Sequence, residues 1–511
     1  MAVQDYDVMV IGGGINAAGI AAEAALRGLS VVLCEAGDLA AATSSASSKL
    51  IHGGLRYLEQ YNFRLVKEAL MERKTLMRIA PHLVEPQAFV LPLAKNIRSQ
   101  WKIRLGLKLY DALSPKGLAR STRWDLAKEQ YRLRSDFTSG YRYSDCATDD
   151  ARLVLANLQC ADQNGADIFL YTKVVAAERG PHAWQVTVES AKGRGFFSVG
   201  AVINATGPWV ADVARDILGI APLSVQWIKG SHIVVPRLYP SDDALILQLA
   251  DGRVIFTIPY QANTTLVGTT DVPYTGDLAA LTISQHEQDY LLEALAQYFE
   301  DPPRSGDIIT SFAGVRTLVD GRDCKASELS REYHLALNDE GGRPPCLSVY
   351  GGKVTTYRML AQKAVEAIRP WFKQIDPVSK SASTLLPGSD FMGLTKQAYI
   401  KLIYQRYPYF AKQHLDRLVN TYGSAITQLL AEAVLPEDLG PLYCGDFSER
   451  ELHYLLSEEW ACTVEDVLWR RTKIGLIADK TASDAIEAAI ADFKRSRTAA
   501  RSDLVNHEDV K

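Results

Sequence analysis

The sequence predicts an α/β fold made of a Rossmann-like domain, an inserted antiparallel β domain and a C-terminal helical domain. Two short apolar runs, Val8–Ile11 and Val31–Leu33, flank a glycine turn and a stretch of small residues, which is the order of a strand–helix–strand unit. Residues 225–310 contain β-branched runs separated by turns, which is typical of an antiparallel sheet. Beyond Pro387 the pattern becomes helical up to the tail.

The glycine turn has the spacing of a dinucleotide-binding fingerprint. In Gly12-x-Gly14-x-x-Ala17 the first glycine permits a tight turn and the second lets the backbone approach a pyrophosphate, while the alanine is small enough for close packing of helix on strand. The start of the helix directs its free N–H groups at the same pyrophosphate. Glu35 follows the second apolar run, where a carboxylate can accept a hydrogen bond from a ribose hydroxyl. The unit as a whole predicts a bound dinucleotide.

The segment after Glu35 favours FAD, as does the position of the fingerprint at the extreme N-terminus. A loop rich in hydroxyls and small side chains, Thr43–Lys49, leads into the glycine turn His52–Gly54. Such a loop can follow an extended cofactor and bring the residues of this turn towards its reactive end. The alternative is a flexible serine-rich linker, which is less compatible with the residue-diverse turn that follows directly.

Composition and charge argue against several other classes of protein. The formal net charge of −4 gives no global reason to expect nucleic-acid binding. The seven cysteines form no CxxC pair, which favours reduced thiols in a cytosolic setting and suggests no metal site. Asp5 and Asp7 stand where a secretory signal would be basic and then apolar, and no apolar run is long enough to span a bilayer. The sequence therefore predicts a cytoplasmic protein.

Periodicity predicts the elements between these landmarks. A helical pattern runs from Tyr61 to Ile79, and a capped helix is predicted over Asp145–Gln159. Strands are predicted over Ile168–Val175, Trp184–Glu189 and Val199–Trp209. The last of these ends in a glycine turn, so we expect it to return to the dinucleotide-binding sheet.

Two later segments, Ser311–Leu318 and Leu347–Met359, have the pattern of strand, glycine turn and helix. The polar residues from Lys494 onwards predict a frayed tail. The predicted boundaries are residues 1–80, 145–224 and 311–386 for the dinucleotide-binding domain, 81–144 for a basic helical insertion, 225–310 for the β domain and 387–511 for the helical domain.

The basic insertion contains a candidate membrane contact. Its segment Trp101–Tyr110 interleaves cations, which attract anionic head groups, with large apolar side chains that suit a membrane interface. On a helix these apolar side chains do not share one face, since Ile97, Trp101, Leu105 and Leu109 lie apart from Ile103, Leu107 and Tyr110. A membrane contact and a basic helix half-packed on the protein therefore remain equal alternatives.

These motifs closely resemble those of the FAD-dependent, respiratory glycerol-3-phosphate dehydrogenases, within the D-amino-acid-oxidase-like flavoprotein superfamily. The resemblance covers nearly the whole chain and is carried by VIGGGINAAGIA, TSSASSKLIHGGLRYLE, YSDCATDDARLVLAN, NATGPWV, IKGSHIVVP, VGTTDVPYTGD, AGVRTL, YGGKVTTYR and DVLWRRTKIGL. One departure is Ala17, where the family often has glycine; the cost is small because that position needs only a short side chain.

The resemblance implies oxidation of glycerol 3-phosphate to dihydroxyacetone phosphate, with hydride transfer to noncovalent FAD and electrons passing to membrane quinone. It also implies peripheral attachment to the anionic inner face of the cell membrane, and it admits a homodimer. The alternatives are a related oxidase with oxygen as acceptor, a nonenzymatic escort protein with an FAD fold, and a flavin-dependent RNA modifier. The net acidity counts against the last, as it does against any nucleic-acid partner.

A substrate with a phosphate and a reacting hydroxyl needs cations and a base. Of the residues that the resemblance implies, the catalytic ones are His232, Arg316 and Lys353, and those that bind substrate are Arg56, Tyr57, Thr269, Arg316 and Lys353. Those implied for the cofactor are Gly12, Gly14, Ala17, Glu35, Thr43, Ser44, Ser45, Ser48, Lys49, His52, Gly53, Val174, Ala205, Gly207, Gly352, Lys353 and Thr355.

Two of these roles have alternatives. His232 is the preferred base, because an ordinary histidine pKa near 6.5 lets it take a proton at neutral pH, and His52 is the runner-up. Arg358 is either a further substrate cation or one half of an ion pair.

Overall fold

The structure is a computed structural model of the 511-residue chain. It describes residues 4–58, 62–93, 100–128, 131–261, 263–319 and 333–508, and for residues 56, 57, 128 and 497–508 it describes the backbone alone. The chain divides into two compact units, Met1–Leu386 and Pro387–Lys511. This division falls at the boundary predicted for the C-terminal helical domain.

The described residues form both strands and helices. The strands are β1 (Gln4–Ile11), β2 (Val31–Cys34), β3 (Leu50–Ile51), β4 (Val84–Pro92), β5 (Thr122–Asp125), β6 (Ser139–Thr148), β7 (Asp167–Phe169), β8 (Thr172–Arg179), β9 (Trp184–Ser190), β10 (Gly193–Asn204), β11 (Val225–Pro236), β12 (Ala244–Gln248), β13 (Val254–Tyr260), β14 (Thr264–Gly268), β15 (Val272–Tyr274), β16 (Thr310–Val319), β17 (His334–Asn338), β18 (Cys346–Tyr350), β19 (Leu442–Cys444) and β20 (Phe447–Ser448). The α-helices are α1 (Ile15–Leu26), α2 (Phe63–Ile79), α3 (Gln100–Leu113), α4 (Asp150–Gln163), α5 (Val210–Asp212), α6 (Gln285–Tyr298), α7 (Tyr357–Ile368), α8 (Lys396–Arg406), α9 (Lys412–Tyr422), α10 (Ile426–Leu430), α11 (Glu449–Glu458) and α12 (Lys480–Glu508).

An eight-stranded sheet carries the glycine turn. Its main path runs β17-β18-β10-β1-β2-β7, and β9 joins β10 to β8. Strand β1 pairs in parallel with β2 and with β10, which pairs in parallel with β18. The carboxyl ends of these four strands therefore meet at one edge, which is where ligands bind in open α/β sheets. This sheet confirms the Rossmann-like part of the predicted fold class.

A ten-stranded sheet forms the second layer of the first unit. Its path runs β15-β11-β14-β13-β12-β4-β6-β3, with β16 on β11 and β5 on β6. The pairings are antiparallel except between β12 and β4. The predicted antiparallel β domain is therefore present, but it also contains α6, whose Leu291 packs with Ile233 and Val267 of the sheet in a buried apolar cluster.

The segment predicted as a basic helical insertion, residues 81–144, is helical over α3 but also supplies strands β4 and β5 and the first part of β6 to this sheet. Strand β4 pairs with β6 along its whole length, from Val84 opposite Thr148 to Pro92 opposite Gly140. The backbone hydrogen bonds that form β4 join residues about fifty positions apart in the chain. The local charge pattern could not predict these hydrogen bonds. The insertion is therefore an extension of the β domain.

Two predicted elements around residue 150 and residue 170 differ from those observed. Residues 145–148, predicted as helix, complete β6, and α4 begins at Asp150 after its N-cap Asp149, whose side chain accepts from the N–H of Arg152 at 3.1 Å. The predicted strand Ile168–Val175 is two strands, β7 and β8, because the chain turns at Tyr171 with φ of 52°.

The segment Ser311–Leu318 is strand throughout, within β16, and contains no turn into a helix. The glycine of this segment, Gly314, is required for a close contact and not for a turn. A Cβ on Gly314 would lie 2.9 Å from the Cβ of Ala46, so the glycine allows the loop of residues 43–49 to lie against this strand. The prediction of a glycine turn was wrong because a close approach and a turn both select glycine.

The second unit is helical, with one short hairpin formed by β19 and β20. Its core joins Tyr399, Leu418, Leu452, Leu455 and Ile486 from four helices. The backbone of α12 stays helical to Glu508, through residues for which polar composition predicted a frayed tail. Together the two units confirm the predicted fold class.

Within the described part of the chain, every helix is too short or too polar to cross a lipid bilayer.

Candidate active site

The glycine turn lies where β1 approaches the end of β10. Gly12 has φ of +118°, and a Cβ there would lie 2.7 Å from the carbonyl oxygen of Ala205. Gly14 is the N-cap of α1, and the fully buried Ala17 follows in its first turn. Ala205 donates its N–H to the carbonyl of Ile11 at 3.0 Å, which fixes this closeness. Only glycine satisfies both the positive φ and the contact at position 12.

Glu35 lies beside this turn at the end of β2. Its Oε1 accepts from the N–H of Gly37 at 2.7 Å, and a Cβ on Gly13 would lie 2.6 Å from its Cγ. Burial raises the pKa of Glu35, against the opposing effect of the backbone N–H groups. The carboxylate thus lies next to the pyrophosphate turn, as an acceptor for a ribose hydroxyl requires.

The loop of residues 43–49 crosses the start of α1. The hydroxyl of Ser44 accepts from the N–H of Ile15 at 3.0 Å, and that of Thr43 donates to the carbonyl of Val315 at 2.8 Å. A Cβ on Gly14 would lie 3.0 Å from the Oγ of Ser44. The loop therefore joins the dinucleotide turn to strand β16.

The end of this loop is held by an ion pair that sequence reasoning missed. Lys49 has φ of 57°, and its Nζ lies 2.8 Å from the Oδ1 of Asp150 and donates to the carbonyl of Ser45 at 2.8 Å. Asp150 also accepts from the hydroxyl of Ser47 at 2.6 Å. The signal was present in the sequence, since the paired acids Asp149 and Asp150 stand at the start of α4, but they were interpreted only as a helix cap.

The turn His52–Gly54 is tied to two distant elements. The N–H of His52 donates to the hydroxyl of Thr355 at 3.3 Å, and the N–H of Gly53 donates to the hydroxyl of Tyr110 at 2.9 Å. A Cβ on Gly53 would lie 2.6 Å from that hydroxyl. Tyr110 also hydrogen-bonds Asp145 with distances of 2.7 and 2.8 Å, so a buried carboxylate fixes it in place. Sequence reasoning placed Tyr110 only in the candidate membrane contact.

The paired glycines after β18 close the same edge of the sheet. Gly352 has φ of +114°, and Asn16 of α1 donates its Nδ2 to the carbonyl of Gly351 at 2.9 Å. The Oδ1 of Asn16 is buried and has no hydrogen-bond partner within the described residues. A buried acceptor beside a glycine turn and a helix start fits the predicted FAD, whose hydroxyls and ring N–H can donate.

The remaining predicted cofactor residues lie around this edge. Val174 is buried on β8 in the cluster that contains Met9 and Val32, and Gly207 follows β10 with φ of +57°. Ser45 donates its hydroxyl to the carbonyl of Ala42 at 3.4 Å.

His232 lies on β11, buried with 3% of its surface exposed. Its ring stacks on Phe312 at 5.0 Å between centroids, and a Cβ on Gly268 would lie 2.2 Å from its Cδ2. Its Nε2 is 2.9 Å from the hydroxyl of Ser48, and its Nδ1 has no hydrogen-bond partner within the described residues. The imidazole therefore occupies space that is available only because residue 268, on the neighbouring strand, is glycine.

The expectation of an ordinary histidine pKa at this position was wrong. Burial, followed by the charges of Lys49 and Arg316, lowers the pKa of His232 to about 3. The imidazole is therefore neutral at physiological pH, with a nitrogen lone pair available to accept a proton. This shift could not be predicted from the sequence, because the two cations are far from His232 along the chain.

Arg316 and Thr269 meet beside Gly230. A Cβ on Gly230 would lie 2.7 Å from the Oγ1 of Thr269 and 3.3 Å from the Nη2 of Arg316. Arg316 is paired with Asp271, and about a third of its side chain is exposed. A guanidinium and a hydroxyl thus lie together two residues from His232 on the same face of β11, since alternate strand residues share a face. This arrangement can hold an anionic group and a neighbouring hydroxyl.

The other predicted substrate residues are less closely defined. Lys353 is the N-cap of the 3₁₀ turn Val354–Thr356, directly after the paired glycines. Arg56 and Tyr57 lie in the turn Leu55–Leu58, of which the backbone is described. Arg358 is buried with its Nη2 at 2.5 Å from Glu72, so the ion-pair alternative holds for this arginine.

The residues that the structure describes hold neither a candidate metal cluster nor a disulfide bond. They contain no cluster of three or more His, Cys, Asp or Glu side chains that could hold a metal ion. The six cysteines among them are free, and Cys324 lies outside the described residues.

The chain matches two family models. Residues 7–358 match the FAD dependent oxidoreductase family, and residues 379–498 match the C-terminal domain of alpha-glycerophosphate oxidase. Among solved structures, a glycerol-3-phosphate dehydrogenase from Bacillus halodurans complexed with FAD is 25% identical with a TM-score of 0.76, over 97% of this chain and 91% of that one.

Two curated relatives are similar over almost their whole length. A glycerol-3-phosphate dehydrogenase from Pseudomonas tolaasii is 44% identical over 500 residues, which cover 96% of each chain. A D-erythritol 1-phosphate dehydrogenase from Brucella abortus is 41% identical over 473 residues, which cover 91% of this chain and 94% of the relative.

Proposed function

Because the chain belongs to the family of FAD-dependent oxidoreductases, we propose that it oxidises sn-glycerol 3-phosphate to dihydroxyacetone phosphate. Family membership confirms the resemblance, the oxidoreductase class and the FAD cofactor predicted from the sequence. The substrate is proposed from the name of the relative that is 44% identical, and from the chemistry of the residues around Gly230.

The observation that carries the proposal is the convergence of a cation, a hydroxyl and a neutral imidazole on strand β11. Arg316 and Thr269 flank Gly230, and His232 lies two residues further on with Ser48 of the cofactor loop at 2.9 Å from its Nε2. A phosphate needs a charged, forked donor, and a reacting hydroxyl needs a proton acceptor close to the cofactor. All three groups are present within one small region.

We assign a role to each group on this basis. Arg316 binds the substrate phosphate with Thr269 beside it, and the family resemblance assigns Lys353, Arg56 and Tyr57 to the same pocket. His232 accepts the proton of the C2 hydroxyl, which leaves as the C2 hydride is lost. FAD, when bound, supplies the acceptor for that hydride. His232 is neutral before the reaction, so a ring nitrogen has a lone pair free to accept this proton.

The proposed electron acceptor is membrane quinone, reached by peripheral attachment of the protein to the inner face of the cell membrane. The exposure of apolar side chains on helix α3 supports this attachment to the membrane. Its Leu107 and Tyr110 are buried, whereas Trp101 and Leu105 are 64% and 58% exposed. One of the two apolar faces noted in the sequence thus includes buried side chains and the other exposed ones, while Ile97 lies outside the described residues.

The exposed face of α3 also carries positive charge. Lys102, Arg104 and Lys108 are all exposed beside Trp101 and Leu105. An exposed aromatic residue and leucine among cations suit the boundary between anionic head groups and acyl chains. This face is the proposed contact with an anionic membrane.

The experiment that tests the proposed reaction is an anaerobic spectrum of the purified yellow protein before and after addition of glycerol 3-phosphate. Bleaching of the flavin band is the expected result, and glycerol at the same concentration serves as a control that lacks the phosphate. A flavin band unchanged by glycerol 3-phosphate would contradict the proposal. Rapid peroxide formation in aerated buffer without quinone would favour the oxidase alternative.

A longer polyol phosphate is the second candidate substrate, because one relative at 41% identity is named a D-erythritol 1-phosphate dehydrogenase. Both substrates share a phosphate and a secondary hydroxyl, so the groups around Gly230 suit either one. The ratio of kcat/KM for D-erythritol 1-phosphate to that for glycerol 3-phosphate decides between them.

A further inference from the structure

A buried carboxylate, that of Glu287 on α6, lies on the far side of β11 from the proposed substrate site. Successive side chains of a strand point to opposite faces of its sheet. Since Gly230 and His232 face the site, Lys229 and Ser231 face the opposite way, towards α6. Glu287 is 2% exposed, and no role in the proposed reaction has been assigned to it so far.

The carboxylate of Glu287 joins strand β11 to the segment between β14 and β15 from behind. Its Oε1 accepts from the hydroxyls of Ser231 and Thr270, each at 2.8 Å, and its Oε2 is paired with the Nζ of Lys229 at 2.7 Å. The N–H of Ser231 also donates to the hydroxyl of Thr270 at 2.9 Å. Burial opposes ionisation of Glu287, but the hydrogen bonds of Lys229, Ser284 and Ser231 outweigh it and lower the pKa to about 2. The carboxylate is therefore charged and fully bonded.

The residues that Glu287 holds are the chain neighbours of the substrate residues. Ser231 immediately precedes His232, and Thr270 immediately follows Thr269. A shift of either backbone segment would change the distance between the imidazole and the threonine hydroxyl on the front face. We propose that Glu287 is a positioning residue, which sets the spacing of the substrate residues by clamping β11 to residues 268–272 from the rear.

This proposal rests on the proposed function, since the clamp acts on the residues to which that function assigns the substrate. The competing explanation is that Glu287 only caps α6. Its Oε2 also accepts from the N–H and the hydroxyl of Ser284 at 3.0 and 2.7 Å, as the third residue of a capping box. The two explanations are separable, because the cap and the clamp use different partners.

Three variants separate the clamp from the cap. Thr270→Val removes the hydroxyl that bonds Glu287 and Ser231 while keeping the shape of the side chain. Thr270→Ser keeps the hydroxyl and serves as the conservative rescue. Ser284→Ala weakens the helix cap and leaves the contacts with the sheet intact. All three are compared with the wild-type FAD-bound protein, with flavin content checked first.

The clamp requires a specific kinetic pattern. Thr270→Val should raise KM for glycerol 3-phosphate by about tenfold to a hundredfold, the range expected for a small misplacement of binding groups, and its flavin content should not change. Thr270→Ser should stay close to wild type. Ser284→Ala should lower the unfolding temperature without moving KM. An unchanged KM in Thr270→Val, or an equal loss in Thr270→Ser, would overturn the proposal.

Hydrogen exchange tests the clamp without any substrate. In Thr270→Val the amides of residues 228–232 and 268–272 should exchange faster, whereas in Ser284→Ala the increase should be confined to the start of α6. If wild-type protein fails to reduce its flavin with glycerol 3-phosphate, the proposed function is wrong and exchange alone decides the clamp. Should Glu287→Gln fold, it should show the exchange pattern of Thr270→Val. Unchanged exchange in both segments of Thr270→Val would reject the clamp.

Discussion

The imidazole of His232 is enclosed between Phe312 and the glycine at position 268, with cationic side chains nearby. Its pKa of about 3 lies well below that of a histidine in an unfolded chain, near 6.5. The folded protein therefore keeps this residue neutral under mildly acidic conditions, while the unfolded chain binds a proton there. The stability of the folded protein is therefore linked to proton binding at this position.

Acidification should destabilise the folded protein through His232. The pKa of His232 is lower in the folded protein than in the unfolded chain. As the pH falls from 8 to 5, the unfolded chain therefore binds a proton at this residue that the folded protein does not bind, and the free energy of unfolding decreases. His232 contributes about 2 kcal/mol to this decrease in the free energy of unfolding. Urea unfolding of the FAD-bound protein at both pH values should show that His232→Gln loses less stability than wild type by about this amount.

The exposed His182 provides a matched control. His182→Gln should follow the wild-type dependence on pH, since it leaves His232 and its surroundings unchanged. An equal loss of stability in wild type and in His232→Gln would mean that the buried imidazole takes up a proton in the folded state.

Arg316 offers a second test at the scale of one side chain. Its guanidinium lies beside the hydroxyl of Thr269, at the proposed phosphate position. Arg316→Ala should lose about 1.5–3 kcal/mol of transition-state stabilisation, or roughly tenfold to a hundredfold in kcat/KM for glycerol 3-phosphate. The loss should be much smaller with glycerol, which has no phosphate to bind.

Asp271→Asn is the control for this prediction, because it removes the ionic partner of Arg316 and keeps the guanidinium. It should retain discrimination between glycerol 3-phosphate and glycerol. An equal loss on both substrates in Arg316→Ala would show that this arginine supports the fold or the flavin instead.

Among the elements, α3 has two faces in different surroundings. Tyr110 reaches inward to the N–H of Gly53 and to Asp145, while Trp101 and Leu105 face outward. The sequence contained both sets of apolar residues but could not show which one the protein buries. A helical pattern gives the positions of the side chains around the helix. It does not show which of these side chains contact the rest of the protein.

Removal of charge from α3 should release the protein from anionic membranes. Each of Lys102, Arg104 and Lys108 is expected to contribute about 1 kcal/mol, so replacing all three with Gln should weaken binding to anionic liposomes by roughly two orders of magnitude. High salt should weaken wild-type binding in the same direction by screening. Dye reduction by glycerol 3-phosphate should survive in the variant.

A matched variant removes three exposed cations elsewhere, with Gln at Lys173, Lys192 and Arg194. It changes the net charge by the same amount and should keep its liposome binding. Equal weakening in both variants would point to net charge as the cause. Unchanged co-sedimentation of the α3 variant at low salt would make α3 an ordinary packed helix.

At the scale of the whole molecule, the cofactor edge is assembled from five segments of one unit. They contain Gly12, Glu35, Lys49, Ala205 and Gly352, all within Met1–Leu386. A chain ending at Leu386 should therefore retain FAD, as judged by the ratio of flavin to protein absorbance. A chain ending at residue 343, which lacks β18, should lose it. Absence of flavin from the longer piece would show that residues 387–511 are needed for binding.

The sequence predicted the strands and helix of this edge better than the strands of the second sheet. The fingerprint has a fixed local spacing, so Gly12, Gly14 and Glu35 could be recognised in the sequence, although the contact of Gly12 with Ala205 could not. The clamp at Glu287 and the pair of Lys49 with Asp150 depend on contacts across 50 residues or more along the chain. The hydrophobic periodicity of a sequence cannot predict such partners, because it depends only on residues that are close together in the chain.

The position of β1 at the centre of its sheet has a consequence for synthesis of the protein. Strand β1 pairs with β2 early, but its other neighbour, β10, ends at Asn204, and the next strand, β18, ends at Tyr350. At ribosomal rates the chain needs roughly 15 to 70 s to extend from the first strand to the end of β18. Ribosome-bound chains arrested before residue 193 should bind chaperones through the apolar edge Val8–Ile11, and those arrested well after residue 350 should not. During that interval the FAD-binding edge does not yet exist, so the cofactor joins a nascent chain only after most of it has been made.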